Sequence, residues 1–171
     1  MSFGTIFADA PWLERGGGKI KRGADKHYRL LKTKDIPGVI RDSGVWTPAE
    51  TCHLYLWVTN NFLEDGLWVG KELGFRYITC RTWAKDRMGL GRYYAGQTEQ
   101  LLFFSRGPAS VPHPKLRGTT LIGGELLPRG KEHSAKPAEA YTEAELVSPG
   151  PRLEMFAREP REGWTVWGDE V

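Results

Sequence analysis

Cysteine and histidine are scarce in this chain, and no apolar run is long. The 171 residues hold two cysteines, Cys52 and Cys80, and four histidines, His27, His53, His113 and His133. The cysteines form no close pair, so neither a thiolate zinc site nor a structural disulfide is expected; two buried, reduced thiols are. The histidines show no metal-ligand spacing, so no metal is expected. No stretch approaches the ~18 apolar residues of a membrane span. No charged start leads into a long apolar stretch, so no signal peptide is visible and a cytoplasmic location is expected. Excess charge is small as well: the formal net charge is +3 and the pI about 8.9. That balance permits a nucleic-acid partner without demanding one.

Aromatics are plentiful: seven tryptophans, six tyrosines and seven phenylalanines. Some must lie outside the core, where rings serve as stacking platforms. The length and composition fit one globular domain over residues 1–171. Phe3 to Ala8 reads as a short buried strand, and Glu14 to Asp25 as a glycine-rich basic loop. Thr33 to Val39 is either a short helix or only a turn at Pro37-Gly38. Cys52 to Val58 is a strong strand, followed by a helix with Asn61 as its N-cap and Gly74 as its stop. Phe75 to Lys85 and Glu99 to Gly107 alternate as strands. Loops dominate residues 107–130, with a short strand expected near Thr120 to Ile122. Pro137 to Val147 reads as a helix with Pro137 in its first turn. Arg152 to Ala157 and Gly163 to Gly168 read as the last strands. This alternation predicts an α/β domain with a mostly parallel central sheet and helices on both faces. Ligands in such sheets sit beyond the carboxyl ends of the strands, which places Asp9 to Trp12 and Arg158 at the functional rim.

Asp9-Ala10-Pro11-Trp12 follows the first strand directly. The tetrapeptide by itself is compatible with an ordinary strand end and a core tryptophan. It also suits a flat heteroaromatic amine. The lone pair of an adenine amino group is delocalised into its ring. Two acceptors taking its N–H bonds would localise that pair, and the Asp9 carboxylate and Ala10 carbonyl can supply them. The Trp12 ring can stack on a base, and Pro11 stiffens the backbone between. Gly16 to Gly18 is no phosphate loop, because no Lys-Ser/Thr follows it.

The segment resembles the Asp-Pro-Pro-Trp motif of amino-group methyltransferases that use S-adenosylmethionine. Further segments occur in the family's order: Gly23 to Leu31, Leu54 to Asn60, Gly74 to Leu102, Glu132 to Pro137, Pro149 to Arg158 and Gly163 to Glu170. Together they resemble the N6-adenine methyltransferase family that contains the catalytic subunit of the eukaryotic messenger-RNA adenosine methylase. The resemblance covers nearly the whole chain. It implies a Rossmann-like S-adenosylmethionine-dependent domain with permuted motif order, S-adenosylhomocysteine as product, and no metal. It implies that Asp9 and the Ala10 carbonyl hold the target amine within a catalytic Asp9-Ala10-Pro11-Trp12 unit, with Trp12 lining the base pocket. The cofactor contacts it implies are Asp9, Lys136, Phe156, Arg158, Asp169 and Glu170. The chain departs from the pattern at Ala10, where the family has proline. It departs again at Asp169-Glu170, where the family has amides; carboxylates accept from ribose hydroxyls but cannot donate to adenine.

Two basic, aromatic, glycine-containing segments are candidate nucleic-acid contacts: Lys26, His27 and Tyr28 in the first, Lys85, Arg87, Arg92, Tyr93 and Tyr94 in the second. By composition alone both are equally solvated loops; by the resemblance they flank the catalytic motif. His27-Tyr28 is the expected contact for a flipped base. Glu99 either orients the second loop or simply starts a strand. The expected activity is N6 methylation of adenine in DNA, with RNA as the alternative substrate. A competing reading is a nucleic-acid-binding subunit without activity, which the Ala10 and Asp169-Glu170 departures favour and Asp9 opposes. No membrane partner is expected; homo- or hetero-oligomerisation is left open.

Overall fold

The structure is a computed structural model that describes residues 1–13, 30–108, 114–129, 135–169 and 171. Among the described residues six strands form one sheet: β1 (Phe3–Ala8), β2 (Pro48–Thr59), β3 (Arg76–Ala84), β4 (Thr98–Arg106), β5 (Arg152–Met155) and β6 (Trp164–Trp167). Their order is β3-β4-β2-β1-β5-β6. β1 runs parallel to β2 and β5, and β5 parallel to β6, while β4 is antiparallel to both β2 and β3. Among the described residues three α-helices cover it: α1 (Ile36–Arg41), α2 (Leu63–Glu72) and α3 (Ala138–Val147).

β1 is buried along its whole length, and β2 from Cys52 to Val58. Such unbroken apolar runs fit strands covered on both faces. Alternation then sorts the side chains. Ile6, Ala8, Leu54, Leu56, Val58, Leu102 and Phe104 pack toward α1 and α2. Phe7, Tyr55, Trp57, Leu101 and Trp83 pack on the other face with Ala140, Tyr141 and Ala144 of α3. Cys52 and Cys80 are free thiols, and burial pushes the Cys52 thiol up to about 12. Among the described residues no helix is long and apolar enough to cross a membrane.

Several expected boundaries move. β2 begins at Pro48 rather than Cys52. Asn61 does not cap α2: the chain leaves β2 through a 3-10 turn, Asn60–Phe62, and the helix follows from Leu63 without a side-chain cap. Asn60 is occupied instead with Thr98 and Gln100, each at 2.9 Å. Pro137 is the extended N-cap residue of α3, not part of its first turn. The strand expected near Thr120 to Ile122 reduces to one bridge, Leu121 to Thr82, because the chain turns at once through Ile122–Gly124. Thr33 to Val39 resolves as a 3-10 turn leading into α1. Gly74 ends α2 as expected, at φ 87°.

α2 lies close on the sheet because Gly66 and Gly70 share its inner face. A Cβ at Gly66 would stand 2.6 Å from Val58 Cγ1, and one at Gly70 would run into the Phe104 ring. Phe104 is 1% exposed, so admitting that carbon means displacing a buried ring. Gly70→Ala should therefore destabilise by about 1 kcal/mol, overpacking of ~1–3 kcal/mol outweighing a helix-propensity gain of ~1 kcal/mol. Gly38, whose Cβ would meet nothing within 4 Å, should gain about 0.5–1 kcal/mol as alanine. Urea midpoints of the two variants should move in opposite directions.

Candidate active site

β1 continues to β2 on one side, while its other neighbour, β5, continues to β6 on the opposite side. The fork lies at the carboxyl ends of β1 and β5, where open α/β sheets bind ligands. Asp9 leaves β1 there, and its N–H donates to the Met155 carbonyl at 3.4 Å. Strand pairing decides which side chains join it. Phe7 lies opposite Tyr55, Thr59 opposite Glu99, and Glu99 opposite Trp83. Opposed residues share a face, so Glu99 rises on the face that carries Phe7, Tyr55 and Trp57. The segment leading into α3, which covers this face, brings Lys136 over it.

The result is a row of alternating charges. Lys136 Nζ lies 2.9 Å from Asp9 Oδ2 and 3.3 Å from Glu99 Oε2. The other Glu99 oxygen, Oε1, accepts from Lys85 Nζ at 2.6 Å. Each ammonium also sits on an indole: Lys136 is 5.5 Å from the Trp57 ring centroid and Lys85 4.6 Å from that of Trp83. The Lys136 side chain is 7% exposed and that of Glu99 15%. Burial opposes both charges, but the partners win. Lys136 and Lys85 hold the Glu99 carboxyl below its usual range, and Asp9 and Glu99 hold the Lys136 ammonium above its own.

Ala10 is buried, and its carbonyl accepts from the Trp12 N–H at 3.0 Å. A carbonyl has two lone pairs, so a second acceptor position remains. Trp12 is fixed on two sides: Nε1 donates to the Trp57 carbonyl at 3.2 Å, and the ring stacks on Phe62 at 5.3 Å. Pro11 is held by the Leu31 N–H, which donates to its carbonyl at 2.8 Å.

At the β5 and β6 exits Phe156 adopts φ 62°, a left-handed conformation costly for a bulky residue. The Phe156 ring packs edge-on against Trp167 at 5.5 Å. Ala157 N–H donates to the Trp167 carbonyl at 2.9 Å, and a Cβ on Gly168 would collide with the Ala157 carbonyl. Arg158 and the exposed Asp169 follow these two close-packed backbones.

Lys85 requires a correction. It was expected among the loop cations that meet nucleic acid, but it is only 9% exposed and is spent on Glu99 and Trp83. It is the last inward position after β3, so alternation turns it to the sheet face. Arg87, Arg92, Tyr93 and Tyr94 do lie on an exposed loop. Lys26, His27, Tyr28 and Glu170 lie outside the described residues. Two members of the neighbourhood were not singled out from the sequence. Glu154 accepts from Tyr141 Oη at 2.6 Å beside Arg161, and burial pushes its carboxyl up. Arg161 lies 3.6 Å over the Tyr141 ring. In the sequence Glu154 is simply one of two polar residues, with Arg152, that alternate along a short strand.

An open sheet of this order, with a strand-end acid and a buried lysine at its switch point, is that of a Rossmann-like methyltransferase domain. The family follows from comparison: the model of MT-A70 matches residues 3–170, and the chain belongs to that N6-adenine methyltransferase family. It is similar to the type II methyltransferase M.MunI of a Mycoplasma species, 28% identical over 98% of this chain and 77% of that protein. It is similar to the N6-methyladenosine RNA methyltransferase MTA1 of Cryphonectria parasitica, 29% identical over 99% of this chain and 52% of that protein. A putative N(6)-adenosine-methyltransferase of Medicago truncatula matches at 28%, with 26% of its length covered. The chain thus spans about half or less of the fungal and plant relatives.

The charge row has a pH signature. A carboxyl held below its usual value stabilises the fold above that value, 4.5 for Glu99, and loses the contribution as pH falls through the lowered one. Glu99→Gln should cost on the order of 2 kcal/mol at pH 6–8, by leaving two buried cations short of a partner. The difference from wild type should shrink steadily below pH 4.5 in urea titrations.

Proposed function

We propose that the chain uses S-adenosylmethionine to methylate the N6 amine of adenine in DNA. The observation that carries this reading is Asp9, fixed at the switch point by an ion pair to a buried lysine. The donors at the rim suit the cofactor. Lys136 and Arg158 offer cations for a carboxylate and polar groups, Asp169 offers an acceptor for ribose hydroxyls, and the Asp9 charge favours a nearby sulfonium. Glu170 is assigned with Asp169, and Phe156 shapes the turn that packs against Trp167. When bound, the cofactor supplies the methyl electrophile.

The chain's own residues supply the rest. Asp9 Oδ accepts one N–H of the target amine and the second lone pair of the Ala10 carbonyl accepts the other. Both bonds draw the nitrogen away from conjugation with the ring. As the nitrogen gains positive character, the adjacent carboxylate stabilises it and is placed to take its proton. Lys136 and Glu99 keep Asp9 in one orientation, so little reorganisation is needed at the moment of transfer. Pro11 and Trp12 form the wall toward the base. Arg87, Arg92, Tyr93 and Tyr94, with Lys26, His27 and Tyr28, are assigned to the nucleic acid. Residues 1–171 are assigned to one methyltransferase domain.

The DNA assignment leans on length. The chain spans 77% of the type II methyltransferase, but 52% and 26% of the relatives named for RNA or adenosine methylation. Labelled cofactor offered with matched adenine-containing DNA and RNA pools should label the DNA at least about tenfold faster. Label confined to RNA would overturn the substrate.

A further inference from the structure

The connection from β3 to β4, residues 85–97, ends in a tip that shows its greasiest residues to water. Met88 is 69% exposed, Leu90 78%, Tyr93 87% and Tyr94 91%. Isolated exposed apolar side chains are ordinary, but four large ones on one short turn mark a contact surface. The tip is nonetheless built. Gly89 N–H donates to the Gly96 carbonyl at 2.6 Å, Gly96 N–H to the Leu90 carbonyl at 3.3 Å, and Lys85 N–H to the Gln97 carbonyl at 2.8 Å. Gly91 fits so tightly under the Tyr94 carbonyl that any Cβ would collide with it. Cations surround the tip: Arg87 and Arg92 within it, and Arg129 alongside, tied by its backbone N–H to Asp86 at 3.0 Å. Arg92 also lies 5.9 Å from the Tyr93 ring centroid.

Its place in the fold matters as much as its composition. The tip extends from the carboxyl end of β3, the edge that carries Asp9. Its root residue, Lys85, leads to Asp9 through Glu99 and Lys136 by contacts of 2.6, 3.3 and 2.9 Å. Resting on the proposed function, we propose that this tip is a wedge that enters duplex DNA at the target adenine, so that the substrate is double-stranded. Tyrosines alone would serve to stack bases that are already free. Met88 and Leu90 have no flat face and no hydrogen-bonding group to offer a free base. Aliphatic side chains do suit insertion between base pairs, where they fill the space an extruded base leaves. The arginines match the phosphates on either side. A buried amine inside the helix demands such a device beside the acceptor that receives it.

The test compares one DNA in two states. Genomic DNA lacking methylated adenine is offered native or heat-denatured, with tritiated cofactor, to wild type and to the double variant Met88→Ser, Leu90→Ser. Thermal melting and sedimentation are measured on both proteins. The wedge predicts that the native-to-denatured ratio of label falls about tenfold in the variant at unchanged melting. A ratio equal to that of wild type overturns it, as does an equal loss on both DNAs. A variant that changes only from dimer to monomer assigns the tip to a second copy of the chain and also overturns it. No label from wild type in either DNA removes the proposed function, and the wedge with it; label from wild type with an unchanged ratio removes the wedge alone.

Discussion

Lys136 carries a full charge into a place that water scarcely reaches, between the carboxylates of Asp9 and Glu99. A buried ammonium there without partners would be untenable, and so would either carboxylate. The three groups are therefore committed to one another, and Lys85 completes the balance at the far end. Such a row adds little net stability compared with an apolar core of the same volume. What it provides is orientation: Asp9 cannot turn away without giving up its 2.9 Å ion pair to the buried Lys136 ammonium.

The sheet exists in the form needed to bring this row together. β1 and β2 run parallel and deliver Asp9 and the Trp57 platform to the same edge, while β4 runs the other way and delivers its first residues there. That reversal makes Glu99, near the start of β4, a neighbour of residues at the ends of β1 and β2. The lead-in to α3 supplies the lysine from above. On the opposite face, Gly66 and Gly70 let α2 settle close enough to fill the other half of the core.

Much of this was legible in the amino acids. The apolar runs of β1 and β2 announce buried strands, Gly74 announces a helix end, and the motif order announces the family. The rim residues Asp9, Lys136 and Arg158 follow from the same order. What was not legible is pairing across distance. Glu99 reads either as a strand-start acid or as a group that orients the second loop until β4 is known to lie antiparallel between β2 and β3. Lys85 reads both as the last residue of the strand Phe75 to Lys85 and as the first cation of the second loop; its ion pair with Glu99 decides between them. Asn61 has the chemistry of a cap, but the 3-10 exit from β2 leaves it inside the turn. Local patterns fix which faces are apolar; they do not state which strand a charged residue will stand beside.

The proposed mechanism needs no strong base, only an acceptor held still at the fork of the sheet. Asp9→Ala tests that most directly, with cofactor binding measured by calorimetry and single-turnover methyl transfer measured on the same preparation. The account predicts that cofactor binding persists within about tenfold while transfer falls by about 100-fold or more, the scale of losing a preorganised electrostatic partner. Transfer at the wild-type rate by a folded, cofactor-binding Asp9→Ala protein would contradict it.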